Sequence, residues 1–152
     1  MKKVCVKPES QRDEKIRVLY INGGIMDLGG ISTYMMNYYR NINRNLVQID
    51  FVVHGEKKGI YDDELIQSGA TIYHVPIKSQ NYVANCRELT RIFQNGNYQI
   101  VHSHLDAGSY HVLRIAKKCG IKFRVAHSHN TDFLTNSCLR RIVNEWFKKR
   151  LS

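Results

Sequence analysis

Ile16-Arg-Val-Leu-Tyr-Ile-Asn-Gly-Gly-Ile-Met-Asp-Leu-Gly-Gly-Ile-Ser-Thr-Tyr34 sets the architecture of this chain. A β-branched apolar run, Ile16 to Ile21, stops at Asn22-Gly23-Gly24, and beyond it Ile31, Met35, Tyr38 and Ile42 recur at helical spacing. A short apolar run bounded by turn residues marks a buried parallel strand, and apolar residues three and four apart mark one face of a helix. The stretch predicts strand, loop, helix. Gly29 and Gly30 stand just ahead of the helix, where unpaired N–H groups and the positive end of the helix dipole face outward. An anion, phosphate above all, suits such a place. A plain tight turn uses the same glycines, and the full G-x-G-x-x-G spacing is absent.

The same grammar repeats downstream. Val47 to His54 reads as a second strand closed by Gly55, Asp62 to Gln67 as a short helix ended by Gly69, and Ala70 to Val75, before Pro76, as a third strand. Val83, Arg87, Leu89, Ile92 and Phe93 give a helical pattern that stops near Asn95-Gly96, and Tyr98 to His104 follows as a strand. Gly108 to Lys118 is helical, with Val112, Ile115 and Cys119 on one face and Gly120 as its cap. Ile121 to His129 is the fifth strand. A basic amphipathic helix, about Ser137 to Leu151, sets Leu139, Ile142, Val143, Trp146 and Phe147 against Arg140, Arg141, Lys148, Lys149 and Arg150. This alternation predicts an α/β fold, a Rossmann-like open parallel sheet with helices on both faces. The expected organisation is a mobile leader over 1–15, a Rossmann-like domain over 16–136 and the basic helix over 137–152.

A length of 152 residues with 43% hydrophobic content supports one domain, and a formal charge of +10 asks for an anionic partner. Nucleic acid is not expected: no aromatic RNA-binding motif, helix-turn-helix or zinc-finger spacing occurs. No apolar run approaches the roughly 20 residues that span a bilayer, and Met1-Lys-Lys-Val-Cys-Val lacks the core of a signal peptide. A cytoplasmic protein is expected, with peripheral contact to an anionic membrane through the basic helix as one use of its charge. The cysteines, Cys5, Cys86, Cys119 and Cys138, form no C-x-x-C and read as reduced thiols.

In open α/β sheets ligands bind outside the carboxyl ends of the strands. The polar residues there are Gly23 to Gly30, His54, His102 and His104 with Asp106, and His127 and His129 with Asn130 and Thr131. Two strands end in the same tripeptide, His-Ser-His, and residues two apart share a face, so four imidazoles converge. They can hydrogen-bond a phosphate or sugar hydroxyl, ligate zinc, or fix loop geometry as buried groups. His102 is assigned to structure and His129, at the outer end of its strand, to ligand; His104, Asp106, His127 and Asn130 are candidates for binding substrate. Zinc lacks a carboxylate at helical spacing, although Asp106 and Asp132 are near in sequence. Ser103 and Ser128 lack G-x-S-x-G, which argues against hydrolysis. Asp27, Asp106 and Asp132 are lone candidates for a base.

Gly29-Gly-Ile-Ser-Thr-Tyr-Met-Met-Asn-Tyr-Tyr-Arg40, Gln48 to His54, Tyr61-Asp-Asp-Glu64 with Gly69 to Tyr73, Ile100 to His104, and Arg124-Val-Ala-His-Ser-His-Asn-Thr131 stand in an order and spacing that resemble the N-terminal domain of bacterial family-4 glycosyltransferases of the GT-B fold. The chain is most similar to those of exopolysaccharide and capsule assembly. The resemblance implies transfer of a sugar from a nucleotide-sugar donor to a saccharide or lipid-linked acceptor, with retention and without a required metal or other cofactor. By the same resemblance Gly29 and Gly30 approach the donor diphosphate, and His129 is the catalytic histidine that meets the transferring sugar or donor phosphate. The second, nucleotide-sugar domain of that family has no counterpart before Ser152, so the isolated chain is expected not to turn over without a C-terminal domain in cis or in trans. A non-catalytic binding module, or one subunit of a split transferase, is the alternative.

Overall fold

The computed structural model describes residues 15–130 and 138–150. The expected leader up to residue 14, with Cys5, and Thr131 and Asp132 lie outside the described residues, as do the side chains of Cys138 and Arg140. Five strands, β1 (Ile16–Ile21), β2 (Val47–His54), β3 (Ile72–Val75), β4 (Ile100–Ser103) and β5 (Phe123–Ala126), form one all-parallel sheet in the order β3-β2-β1-β4-β5. Helices α1 (Gly30–Asn41), α2 (Asp62–Gln67), α3 (Tyr82–Asn95), α4 (Ser109–Lys118) and α5 (Cys138–Lys149) complete the chain. The α/β, Rossmann-like prediction holds, and β1, β2 and α2 have the predicted bounds. Strands β3, β4 and β5 are shorter than predicted, although Thr71, Gln99, His104 and His127 beside their ends still make backbone hydrogen bonds to the neighbouring strands.

Alternation along the strands sorts the core into two layers. Leu19, Ile21 and Val101 face α3 and α4, where Leu89, Ile92, Phe93, Val112, Leu113 and Ala116 meet them. Val18, Tyr20, Phe51 and Val53 face the other way, onto Met35, Met36 and Tyr39 of α1 and Leu65 of α2. The buried face of α1 is therefore turned by about one residue from the predicted one, and Tyr38 is exposed. Helix α4 likewise buries Val112, Leu113 and Ala116, leaving Ile115 and Cys119 partly covered, and Val83 at the start of α3 is exposed. Gly120 has φ +80° just past α4, the left-handed position that ends a helix without a Cβ penalty.

At the amino ends of the strands a polar network ties β1 to β2. Asp50, buried in mid-sheet, accepts hydrogen bonds from Arg17 Nη2 at 2.7 Å, the Thr71 N–H at 2.9 Å and the Tyr98 hydroxyl at 2.8 Å. These donors hold its carboxyl below the usual carboxylate range despite the burial. The residues singled out as candidate site residues lie at the opposite, carboxyl edge of the sheet. There the glycine loop is braced from behind: a Cβ on Gly59 would strike the Met26 backbone, and Tyr61 N–H donates to Met26 O at 3.3 Å.

Candidate active site

Sheet order reverses between β1 and β4, so the loops that follow these two strands diverge and open a crevice. Two sets of side chains flank it. On the α1 side, Tyr20, His102 and Val125 stand in register across β1, β4 and β5, and His104 and His127 continue the same face beyond the strand ends. His102 Nε2 and His127 Nδ1 are 3.2 Å apart; His104 Nδ1 and His129 Nε2 are 2.9 Å apart. Within each pair the ring centroids are 5.4 and 5.1 Å apart, so the rings meet edge to edge, nitrogen facing nitrogen. Across pairs they stack: His102 on His104 at 4.2 Å and His127 on His129 at 4.4 Å, the latter within 6° of parallel. The result is a two-by-two array of imidazoles, roofed by Tyr34 of α1, whose ring meets His127 at 4.9 Å and His129 at 5.3 Å.

This geometry bears on zinc. His102, His104 and His127 offer nitrogens within 4.8 Å of one another. Zinc, however, needs lone pairs converging on one point about 2.0–2.1 Å from each nitrogen, whereas here the facing nitrogens point at each other across a hydrogen-bond length. Within each pair the facing nitrogens are spaced to share one hydrogen bond. Burial, reinforced by the neighbouring imidazoles, pushes His102 down to about 4 and His104 down to about 3. His129 is lowered by burial and by His127, while Asp106 opposes the shift.

Within the first pair His102, assigned to structure, is half-buried, whereas His104, expected to touch substrate, is 1% exposed and enclosed by His102, His127, His129 and the rings of Tyr20 and Tyr34. Its burial follows from lying beyond the end of β4, where the rings of Tyr20, Tyr34 and both later histidines close over it. Asp106 is also drawn inward. Its oxygens accept the His129 N–H at 2.7 Å and Asn130 Nδ2 at 2.9 Å, fastening the end of β5 to the turn after β4. That turn places Asp106 at φ +48°, a strained conformation for a side chain with a Cβ, held by these two bonds. His127 and His129 remain half-buried, and Asn130 is exposed.

Gly29 and Gly30 are exposed at the start of α1, one turn ahead of Tyr34, and so sit on the same side of the crevice as His129. The cradle already holds a carboxylate: Asp27 Oδ1 accepts the Gly29 N–H at 2.9 Å and lies 3.4 Å from Ser32 Oγ.

On the α3–α4 side a cavity of about 560 Å³ runs along the ends of the strands, lined by Gly23, His54, Lys78, Ser79, Leu105 and His111 among others. The His54 ring is anchored by Nδ1 on Asn22 O at 2.7 Å, and His111 Nε2 lies 3.1 Å from Asn85 Oδ1. Burial, with the nearby Lys78 charge, takes His111 down to about 4, so both rings are neutral at physiological pH. Sequence position at a strand end identified His54. The same rule covers Lys78 and Ser79 after β3, but His111 lies on a helix and gave no such signal.

Helix α5 closes one end of this side. Trp146 and Phe147 pack on Tyr110 at 5.6 and 5.2 Å, Arg150 lies 4.0 Å over Trp146, and Lys78 lies 5.7 Å over Phe147. Leu139, Ile142 and Val143 face outward. Among the described residues no helix is long and apolar enough to cross a membrane.

Comparison with known proteins agrees with this architecture. The family model of Glycosyltransferase Family 4 matches residues 28–152. EpsF of Bacillus subtilis (strain 168), a glycosyltransferase by name, is 34% identical over 123 residues, which cover 78% of this chain and 31% of that protein. The chain thus spans about a third of the length of this relative. With the family match extending from the glycine loop through the histidine array to α5, the chain belongs to Glycosyltransferase Family 4.

Proposed function

We propose that this chain is the acceptor-side half of a sugar transferase that moves a glycosyl group from a nucleotide sugar to a saccharide or lipid-linked hydroxyl during exopolysaccharide or capsule assembly. The observation that carries the proposal is that Tyr34, one turn into α1 from the exposed Gly29 and Gly30, packs on His129, so that a histidine and an exposed helix start flank the same side of the crevice. The donor diphosphate enters at Gly29 and Gly30, displacing Asp27 from the Gly29 amide. First-turn amides and the helix dipole stabilise the charge that grows on the leaving diphosphate, a role that asks for no divalent cation. The anomeric configuration is retained. His129 contacts the transferring sugar or the adjacent phosphate, and Asn130 extends the polar rim.

The acceptor lies in the cavity on the other flank. His54 and His111, neutral, and Ser79 present hydrogen-bonding groups to sugar hydroxyls, and Lys78 supplies charge for a phosphate of a lipid-linked acceptor. A nucleotide-binding domain in cis or in trans supplies the facing wall, and the isolated 152-residue chain does not turn over. The outward apolar residues of α5 and the basic surplus fit contact with that domain or with an anionic membrane at the inner face of the plasma membrane.

The cradle is tested by calorimetry with pyrophosphate. Asp27→Asn removes a charge that competes for the same amides, and pyrophosphate binding is expected to tighten about two- to fivefold, the effect of one charge at a helix end. Unchanged or weaker binding in Asp27→Asn contradicts the assignment of the diphosphate to this loop.

A further inference from the structure

His104 and His129 meet through Nδ1 and Nε2 at 2.9 Å. A neutral imidazole carries one hydrogen, and two facing nitrogens share one hydrogen bond, so the tautomers of the two rings are locked together. Either His104 donates from Nδ1 and His129 then carries its own hydrogen on Nδ1, or His129 donates from Nε2 and His104 carries its hydrogen on Nε2. The remaining atom decides between them. His104 Nε2 is buried and has no hydrogen-bond partner among the described residues. An orphaned buried N–H is rarer in proteins than an under-satisfied acceptor, which places a lone pair there and the hydrogen on Nδ1. The Tyr20 ring, with centroids 5.1 Å apart, offers at most an N–H···π contact, a second-order substitute.

We propose that His104 is a positioning residue that holds His129 with its hydrogen on Nδ1, so that the outer histidine meets an incoming oxygen as a donor rather than as a base. This rests on the reading that His129 faces the sugar donor. The rest of the site supports the role. The Asp106 carboxylate fixes the His129 backbone N–H at 2.7 Å, and His127 stacks on the ring at 4.4 Å, so the ring cannot turn over to exchange its nitrogens without breaking the array. An Nδ1–H donor strengthens its hydrogen bond as negative charge grows on the oxygen it meets; no proton changes hands at His129. His104 thus shapes the reaction without touching substrate.

Nitrogen-15 NMR of the imidazole-labelled 152-residue chain at neutral pH reads the tautomer directly. The wild-type protein is expected to show His129 protonated on Nδ1, the minor form of free histidine. His104→Phe, which removes the donor, is expected to return His129 mainly to the Nε2–H form. In His104→Asn the side-chain amide nitrogen takes the place of Nδ1 and keeps His129 on Nδ1–H. A wild-type spectrum with the hydrogen on Nε2 overturns the proposal, as does an unchanged His129 tautomer in His104→Phe. If His104→Phe fails to fold, the wild-type and His104→Asn spectra decide. The readout uses no nucleotide sugar. An Nδ1–H His129 in a chain that binds none keeps the role of His104 and removes the assignment of His129 and the α1 amino end to the sugar donor instead.

Discussion

Lowering the pH from 7.5 to about 4 is expected to cost this fold several kcal/mol of stability, most of it below pH 6.5. The cause is a set of histidines folded in their neutral form. Burial holds His102 and His111 at about 4 and His104 at about 3, and lowers His54 and His129 as well. In the unfolded chain each returns to an ordinary value near 6.5, so between pH 6.5 and 4 the unfolded state takes up protons that the folded state refuses. Stability is fully present above about pH 6.5 and is lost as the pH falls through that window. Each unit of depression is worth about 1.4 kcal/mol before coupling within the array reduces the sum. Urea unfolding at pH 7.5, 6 and 4.5 checks this, and His102→Gln, which keeps a polar partner for His127 but cannot be charged, should flatten the slope. Stability that is level from pH 7.5 to 5 contradicts the neutral array.

Replacing His129 by alanine is expected to lower the rate of sugar transfer about 100- to 1,000-fold, the usual loss when a preorganised donor to developing charge is removed. The assay follows label from donor to acceptor in the proposed complete enzyme, this chain together with a nucleotide-sugar domain. Position explains the size of the effect. His129 is held on three sides, by Asp106 through its backbone, by His104 through Nε2 and by His127 through stacking, so alanine removes a group that pays little entropy to be in place. Binding of acceptor in the opposite cavity should change little. A His129→Ala enzyme with near-normal turnover places the chemistry elsewhere.

Much of this was readable from residue pattern alone. Where burial on both faces demands a continuous apolar run, as in Ile16 to Ile21 and Val47 to His54, the strand bounds came out to the residue. The last strand was different. His127 and His129 extend the alternation past Ala126; the His127 N–H still donates to Ser103 O, but the His129 N–H goes to Asp106, a contact across 23 positions that no local pattern announces. The histidine tripeptides were legible as a convergence of four rings, because adjacent strands repeat the same face. Which ring would be innermost was not, since the cover over His104 comes from Tyr20 and Tyr34 on elements far away in sequence. Asp106 illustrates the same limit: its charge at a strand end suggested substrate, while tertiary structure spends both oxygens on the neighbouring loop. On α4, His111 carries no strand-end signal and joins the site only because α4 passes beside the crevice.

In the proposed site the α1 amino end and His129 together form the donor face. This face is probed by titrating the nitrogen-15-labelled chain with a panel of nucleoside diphosphate sugars. Saturable shifts are expected at the Gly29, Gly30 and Ile31 amides and at the His129 imidazole, with His54 and His111 left for the acceptor. Saturable shifts confined to the groove between α3, α4 and α5, or none at the glycine loop at millimolar donor, would contradict it.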